Sequence, residues 1–252
     1  MRYFLELSYN GKNYNGWQRQ NNAISVEEVL EENLSKIFNE TIDITGCGRT
    51  DTGVHAKQYY AHFDTSSTSP KEELLLPINF LYRINNMLPD DISINEIFEV
   101  RLDFHARFDA INRTYKYFIH FDKDPFVEEQ SFLINQKPDI EKMNHCIEQL
   151  FGEHDFSTFE KKGSDNKTSV CKLENAFWQT TENGMVFTIT ANRFLRNMVR
   201  RITAALLMVG LDKINEQEII NAVLNKEMLN VKMAVPAKGL FLWQIEYNFN
   251  EN

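Results

Sequence analysis

Apolar and polar residues alternate along Tyr3-Phe4-Leu5-Glu6-Leu7-Ser8-Tyr9, which predicts a half-buried strand running into a turn at Asn10-Gly11. The period then changes. Ser25, with Glu28 at the N3 position, forms a capping box, and Val26, Val29, Leu30, Asn33, Leu34 and Ile37 recur at helical spacing behind it. Residues 58–64 return to strand pattern. Ser69-Pro70 with Glu72 is a second capping box, opening a helix to about Asn86 that Pro89 closes, and residues 92–100 form another strand.

The second half repeats this order. Residues 114–121 are aromatic-rich strand sequence, and Ile140, Met143, Ile147, Leu150 and Phe151 mark a helix. Residues 172–180 and 185–191 form a hairpin around Asn183-Gly184. A long helix is expected from about Phe194 to Gly210, a shorter one capped by Asn215 with Glu218 at N3, and a last strand over residues 240–247. Each half reads roughly strand, helix, strands, helix, strand, the order of a split βαβ, ferredoxin-like unit. The expected fold is α+β, with two ferredoxin-like subdomains of residues 1–104 and 105–252 and a cleft between them. The halves share element order rather than a sequence repeat.

Between the first helix and the strand after it lies Gly46-Cys47-Gly48-Arg49-Thr50-Asp51-Thr52-Gly53-Val54-His55-Ala56, a polar turn built to present Asp51. Three familiar chemistries fail on spacing. Asp51 stands where the third glycine of a dinucleotide fingerprint belongs, and Val54-His55 replaces the Lys-Ser/Thr of a P-loop. Asp51-Thr52-Gly53 matches an aspartic protease triplet, but no second Asp-Thr/Ser-Gly exists to share its proton. Taken alone, the turn reads as an aspartate capping its own backbone.

Charge changes the picture. The net charge of −9 and sequence pI near 5.2 argue against a broad nucleic-acid surface, so what matters is whether the basic residues gather in one place. On the expected long helix Arg193, Arg196 and Arg200 fall at i, i+3 and i+7 with Arg201 beside them, among the apolar residues Phe194, Leu195, Met198, Val199 and Ile202. A buried guanidinium needs an anion, and Asp51 is the natural candidate. Lys161, Lys162, Lys167 and Lys172 surround the loop Gly163-Ser164-Asp165 and read as a solvated loop. The segments 104–109 and 113–117 interleave cations with aromatics, the composition that stacks bases and holds phosphates. Tyr115 and Tyr117 share a strand face, so parity does not decide which of them meets a ligand.

Three widely spaced cysteines, Cys47, Cys146 and Cys171, imply a reducing compartment without a disulfide framework. The six histidines make no metal set and read as polar or core residues. The best apolar run, residues 204–209, is far below the roughly 20 residues of a membrane span, and no signal-type run opens the chain. A cytoplasmic protein is expected.

Nearly the whole chain resembles the bacterial tRNA pseudouridine synthase I (TruA) family. Six stretches carry the resemblance in order: Tyr9-Asn10-Gly11-Lys12-Asn13-Tyr14-Asn15-Gly16-Trp17-Gln18; the turn from Gly48 to Ala56; Phe104-His105-Ala106-Arg107-Phe108-Asp109-Ala110; His154-Asp155-Phe156-Ser157; Asn192-Arg193-Phe194-Leu195-Arg196-Asn197-Met198-Val199-Arg200; and Ala237-Lys238-Gly239-Leu240-Phe241-Leu242. Cys47, Thr52 and Asn10 stand where that family more often has alanine, alanine and aspartate. The resemblance implies isomerisation of uridine to pseudouridine at positions 38, 39 or 40 of the tRNA anticodon arm, without cofactor or metal, by a homodimer whose subdomains form a continuous antiparallel-rich sheet with a central active-site cleft. It implies Asp51 as the nucleophile, Arg200 as its counter-charge at the floor of the cleft, Arg49 as the residue that fills the space of a flipped uridine, and Tyr115 as the base-stacking ring. Thr50 and Leu242 complete the implied substrate-binding set. The alternative is a diverged RNA-binding module that keeps the fold without the chemistry; a small-molecule enzyme using the same cleft is a third reading.

Overall fold

The N-terminal alternation becomes β1 (Arg2–Tyr9), with Tyr3, Leu5, Leu7 and Tyr9 buried on one face and Phe4 buried on the other. This computed structural model describes residues 1–66, 77–161, 163, 167–227, 229 and 234–249. Its class is α+β, and the chain divides into two units, Met1–Ile111 with Leu242–Asn252, and Asn112–Phe241.

In the first unit β1 lies between β3 (His55–Asp64) and β4 (Ile92–Val100), antiparallel to both, and β2 (Ile44–Gly46) pairs with the far edge of β3. Two helices, α1 (Val26–Phe38) and α2 (Pro77–Met87), accompany this sheet. Leu30, Leu34, Phe80 and Ile84 are fully buried, and Phe38 packs edge-on against Phe63 at 5.3 Å. The expected cap of α1 forms by half: the Ser25 hydroxyl accepts from the Glu28 N–H at 3.3 Å, while the Glu28 carboxylate lies 3.5 Å from Arg19. The second capping box, Ser69-Pro70 with Glu72, lies outside the described residues.

The other face of this sheet carries an aromatic cluster. Phe4 meets Phe98, Phe104, Tyr247 and Phe249 within 5.1–6.1 Å. Segment 104–106 is hung on the strands by polar bonds: Arg2 donates to the Phe104 carbonyl at 3.1 Å, and His62 Nδ1 accepts from the Ala106 N–H at 3.1 Å. His62 is 5% exposed, and burial, aided by Arg2, lowers its pKa to about 4.

In the second unit β5 (Ala110–His120) pairs antiparallel with β9 (Gly184–Ala191), β9 with β8 (Val170–Thr181), and β8 with β7 (Gly152–Asp155); the short β6 (Phe132–Leu133) runs parallel to β5. The helices are α3 (Ile140–Glu148), α4 (Met198–Gly210) and α5 (Glu216–Leu224). Buried residues on β8 are Cys171 and Leu173, then Ala176 and Trp178, because a register shift between Leu173 and Asn175 reverses the alternation. Trp178 stacks on Phe187 at 4.8 Å. The capping box of α5 forms with both of its bonds. β10 (Leu240–Tyr247) spans the residues expected for it; from Leu242 onward it belongs to the first unit.

Two expectations are corrected here. The hairpin exists, but its two-residue turn is Glu182-Asn183, one position earlier, because Gly184 already pairs with Thr181. Gly184 serves close approach instead: a Cβ there would lie 1.9 Å from the Ile119 carbonyl oxygen. The long helix begins at Met198, not near Phe194, because Asn197 takes a left-handed φ of 66° and interrupts the helical path. Arg193 and Arg196 therefore lie on the approach to α4, and only Arg200 and Arg201 ride on the helix.

The depressed pKa of His62 has a sign in stability. The folded state disfavours the proton that the unfolded chain accepts near pH 6.5, so its contribution is complete above that value and is lost as pH falls toward about 4. Unfolding free energies from urea titrations between pH 4 and 7 are expected to fall as pH is lowered, with a slope of at most about 1.4 kcal/mol per pH unit from this group. In His62→Gln that part of the slope disappears.

Candidate active site

The Asp51 turn is held against the stretch that follows β1. Its first contact is Thr50, whose carbonyl accepts from the Trp17 N–H at 3.3 Å and whose hydroxyl shares a 2.8 Å hydrogen bond with Tyr9. Val54 N–H closes back on the Asp51 carbonyl at 3.1 Å, with Gly53 at φ 76°, the left-handed place that a type II turn reserves for glycine. Gly53 N–H in turn donates to the Tyr14 carbonyl at 3.3 Å, and Thr52 donates to Asn15 Oδ1 at 3.3 Å. At the ends, Tyr59 donates to the Gly48 carbonyl, and His55 Nδ1 accepts from the Gly11 N–H at 3.1 Å.

Close approach is what makes this possible. Gly16 sits at φ 83°, and a Cβ on it would lie 2.2 Å from the Thr50 carbonyl oxygen. The approaching stretch is itself anchored, since Asp91 accepts from Tyr14 and from Asn13, and its carbonyl from the Asn10 N–H. Trp17 stacks on Tyr59 at 4.1 Å beneath the turn. Asp51 is thus half-buried at the first position of a turn whose backbone is bonded on both sides.

Beside it, the exposed Arg49 donates from Nε to Gln18 Oε1 at 3.2 Å. Gln18 Nε2 donates to Glu27 at 2.6 Å, and Glu27 also accepts from the Arg19 N–H at 2.6 Å and from Trp17 Nε1 at 3.2 Å. Glu27 is only 6% exposed, on the first turn of α1, and desolvation raises its pKa. No sequence signal separates this carboxylate from its partly solvated neighbour Glu28, because acidic residues are ordinary in a first helical turn. The role of the Gly11–Trp17 stretch was readable only as part of a motif.

Arg49, Thr50 and Asp51 are consecutive on this turn, and Leu242, buried on β10, belongs to the same unit. Tyr115 and Arg200 belong to the second unit. Tyr115 is half-buried on β5 with Phe194 edge-on at 5.1 Å, whereas Tyr117, on the same face, is fully buried and donates to the Pro236 carbonyl at 2.9 Å. Arg200 donates from Nε to the Val235 carbonyl at 2.8 Å, and its own carbonyl accepts from the Val235 N–H at 3.2 Å, so residue 235 fixes both its backbone and its side chain.

Arg193 and Arg196 do not share a helical face with Arg200, yet the loop before α4 still gathers charge. The Arg196 carbonyl accepts from the Lys161 N–H at 3.0 Å, Arg201 reaches the Glu160 carbonyl at 2.5 Å, and Arg113 reaches the Asn192 carbonyl at 2.8 Å. Asn192 also exchanges hydrogen bonds with the backbone of Lys172, whose ammonium pairs with Glu174 at 2.8 Å. Lys162 and Ser164-Asp165 lie outside the described residues.

A family model described as tRNA pseudouridine synthase matches residues 7–109 and 146–248. The chain belongs to this family. Among curated relatives, proteins named tRNA pseudouridine synthase A from Azobacteroides pseudotrichonymphae and Parabacteroides distasonis are 42% and 41% identical to it, each over 98% of this chain and 96% of their own length. One from Acetivibrio thermocellus is 36% identical over 96% of this chain and 98% of its own.

As a tRNA pseudouridine synthase, the chain is an isomerase. The first matched stretch contains the Asp51 turn together with the stretch that supports it, and the second contains Arg193 to Arg201. Among the described residues no group of three or more His, Cys, Asp or Glu is placed to hold a metal ion, and no helix is long and apolar enough to cross a membrane.

Gly16→Ala tests the support of the turn. The left-handed φ and the overlap with Thr50 act together, and the variant is expected to lose roughly 2–4 kcal/mol of stability. Thermal or urea unfolding measures it.

Proposed function

We propose that Asp51 is the nucleophile of a tRNA pseudouridine synthase acting at positions 38, 39 or 40 of the anticodon arm. The observation that carries this reading is the Asp51 turn, bonded along its backbone so that half-buried Asp51 is held at its first position. A carboxylate held in place by its own backbone is pre-positioned for attack, and pre-positioning removes orientational entropy from the reaction step.

In this reading the target uridine leaves the stack, because neither C6 of the base nor C1′ of the ribose is open to attack within it. Asp51 attacks one of those carbons, the N1–C1′ bond breaks, and the base turns. A C5–C1′ bond then forms, the bond between Asp51 and the attacked carbon breaks and returns the free carboxylate, N1 takes a proton, and the C5 hydrogen departs to water. Arg200 is assigned the counter-charge of Asp51, Tyr115 the stacking surface for the base, and Arg49 the space that the uridine vacates. Thr50 positions the turn, and Leu242 lines the apolar side of the base pocket. Nothing in these steps requires a cofactor or metal. The enzyme works in the cytoplasm as a homodimer.

The basic residues around residues 192–201 supply an answer to the acidic net charge. Arg113, Lys161, Lys172, Arg196 and Arg201 lie on segments joined by hydrogen bonds to main-chain groups, so phosphate contact is concentrated rather than spread. Arg196→Ala is expected to weaken tRNA binding and to reduce the slope of log K against log salt by about 0.7–0.9, one phosphate contact. Binding titrations between 50 and 200 mM salt, on the order of the range over which such slopes are read, measure this.

The decisive measurement is tritium release from unmodified tRNA transcripts carrying 5-tritiated uridine. Wild-type enzyme is expected to release tritium to water, and Asp51→Asn to release none while binding the same transcript. Absence of release from the wild type across a range of tRNAs, with binding intact at low salt, would instead identify an RNA-binding module.

A further inference from the structure

Arg49 is exposed, and a long exposed cation ordinarily samples many rotamers. Here its Nε is occupied by Gln18 Oε1 at 3.2 Å, and the other end of that amide, Nε2, is occupied by a Glu27 oxygen at 2.6 Å. The donor and acceptor inventory permits one orientation of the amide. An ionised carboxylate only accepts and a guanidinium only donates, so reversing Gln18 would face donor to donor on one side and acceptor to acceptor on the other. Glu27 cannot turn away either, since the Arg19 N–H and Trp17 Nε1 hold both of its oxygens and it sits in the first turn of α1.

We infer that Gln18 and Glu27 are positioning residues that aim the Arg49 guanidinium, by fixing its Nε and leaving the Nη groups to face RNA. The inference rests on the proposed entry of Arg49 into the space of the flipped uridine. Gln18, Glu27 and Arg49 all belong to the unit that carries Asp51, so the relay is in place before RNA arrives. A pre-aimed group loses less freedom on engaging its target, and the benefit falls on the step in which the base leaves the stack.

The test is a double-mutant cycle on the full-length enzyme, with single-turnover tritium release from an unmodified tRNA transcript and, separately, the Kd for that transcript. Gln18→Leu is expected to slow release about tenfold, the effect of one lost orienting hydrogen bond, with Kd little changed. Glu27→Gln, which removes the acceptor-only constraint, is expected to act in the same direction. In an Arg49→Ala background neither substitution should slow release further, because nothing remains to be aimed. Additive losses in that background would overturn the relay and assign Gln18 and Glu27 to general stability, as would an Arg49→Ala enzyme with the wild-type rate. Both outcomes leave the isomerase reading intact. A wild-type enzyme that releases no tritium would remove that reading, and the relay with it.

Discussion

Thr50 is the residue on which the candidate site depends. Its carbonyl is bonded to the Trp17 N–H, its hydroxyl to Tyr9, and its backbone is approached so closely by Gly16 that a single methyl group would not fit between them. A polar loop pressed against the core leaves backbone groups that water no longer reaches, and each needs a partner inside the protein. The stretch from Gly11 to Trp17 supplies those partners. The Asp51 turn and the segment after β1, about forty residues apart in the chain, therefore form one structural object.

The same logic of borrowed backbone bonds runs through the rest of the protein. Arg2 and His62 hold segment 104–106 through a carbonyl and an N–H. Arg200 is held by Val235, Arg201 by Glu160, and Arg113 by Asn192, in each case through a main-chain carbonyl.

How much of this was legible depends on whether the signal is local. The strand at residues 240–247 and the box Asn215 with Glu218 were readable because period, caps and turn residues act within a few positions. The start of α4 was not, because Phe194 to Arg200 has helical spacing while Asn197 adopts a left-handed backbone that spacing alone does not reveal. The hairpin turn slipped by one residue because Gly184 answers to the backbone of β5, which the local sequence does not show. Parity could not separate Tyr115 from Tyr117; the burial of Tyr117 and its bond to Pro236 distinguish them.

The sequence by itself determined the α+β class, the order of the longer elements, the family and the turn that carries Asp51, since each of these is written in periodicity or in contiguous motifs, whereas the short strands β2, β6 and β7 were not legible. Only the tertiary structure decided how that turn is held, why Gly16 and Gly184 cannot carry a side chain, and that Glu27 is a buried anchor while Glu28, its neighbour on the same helix, remains partly solvated. The physical reason is range. Helical and strand periods are set by bonds between near neighbours, whereas the environment of a carboxylate or a carbonyl is set by whichever distant segment the fold lays against it.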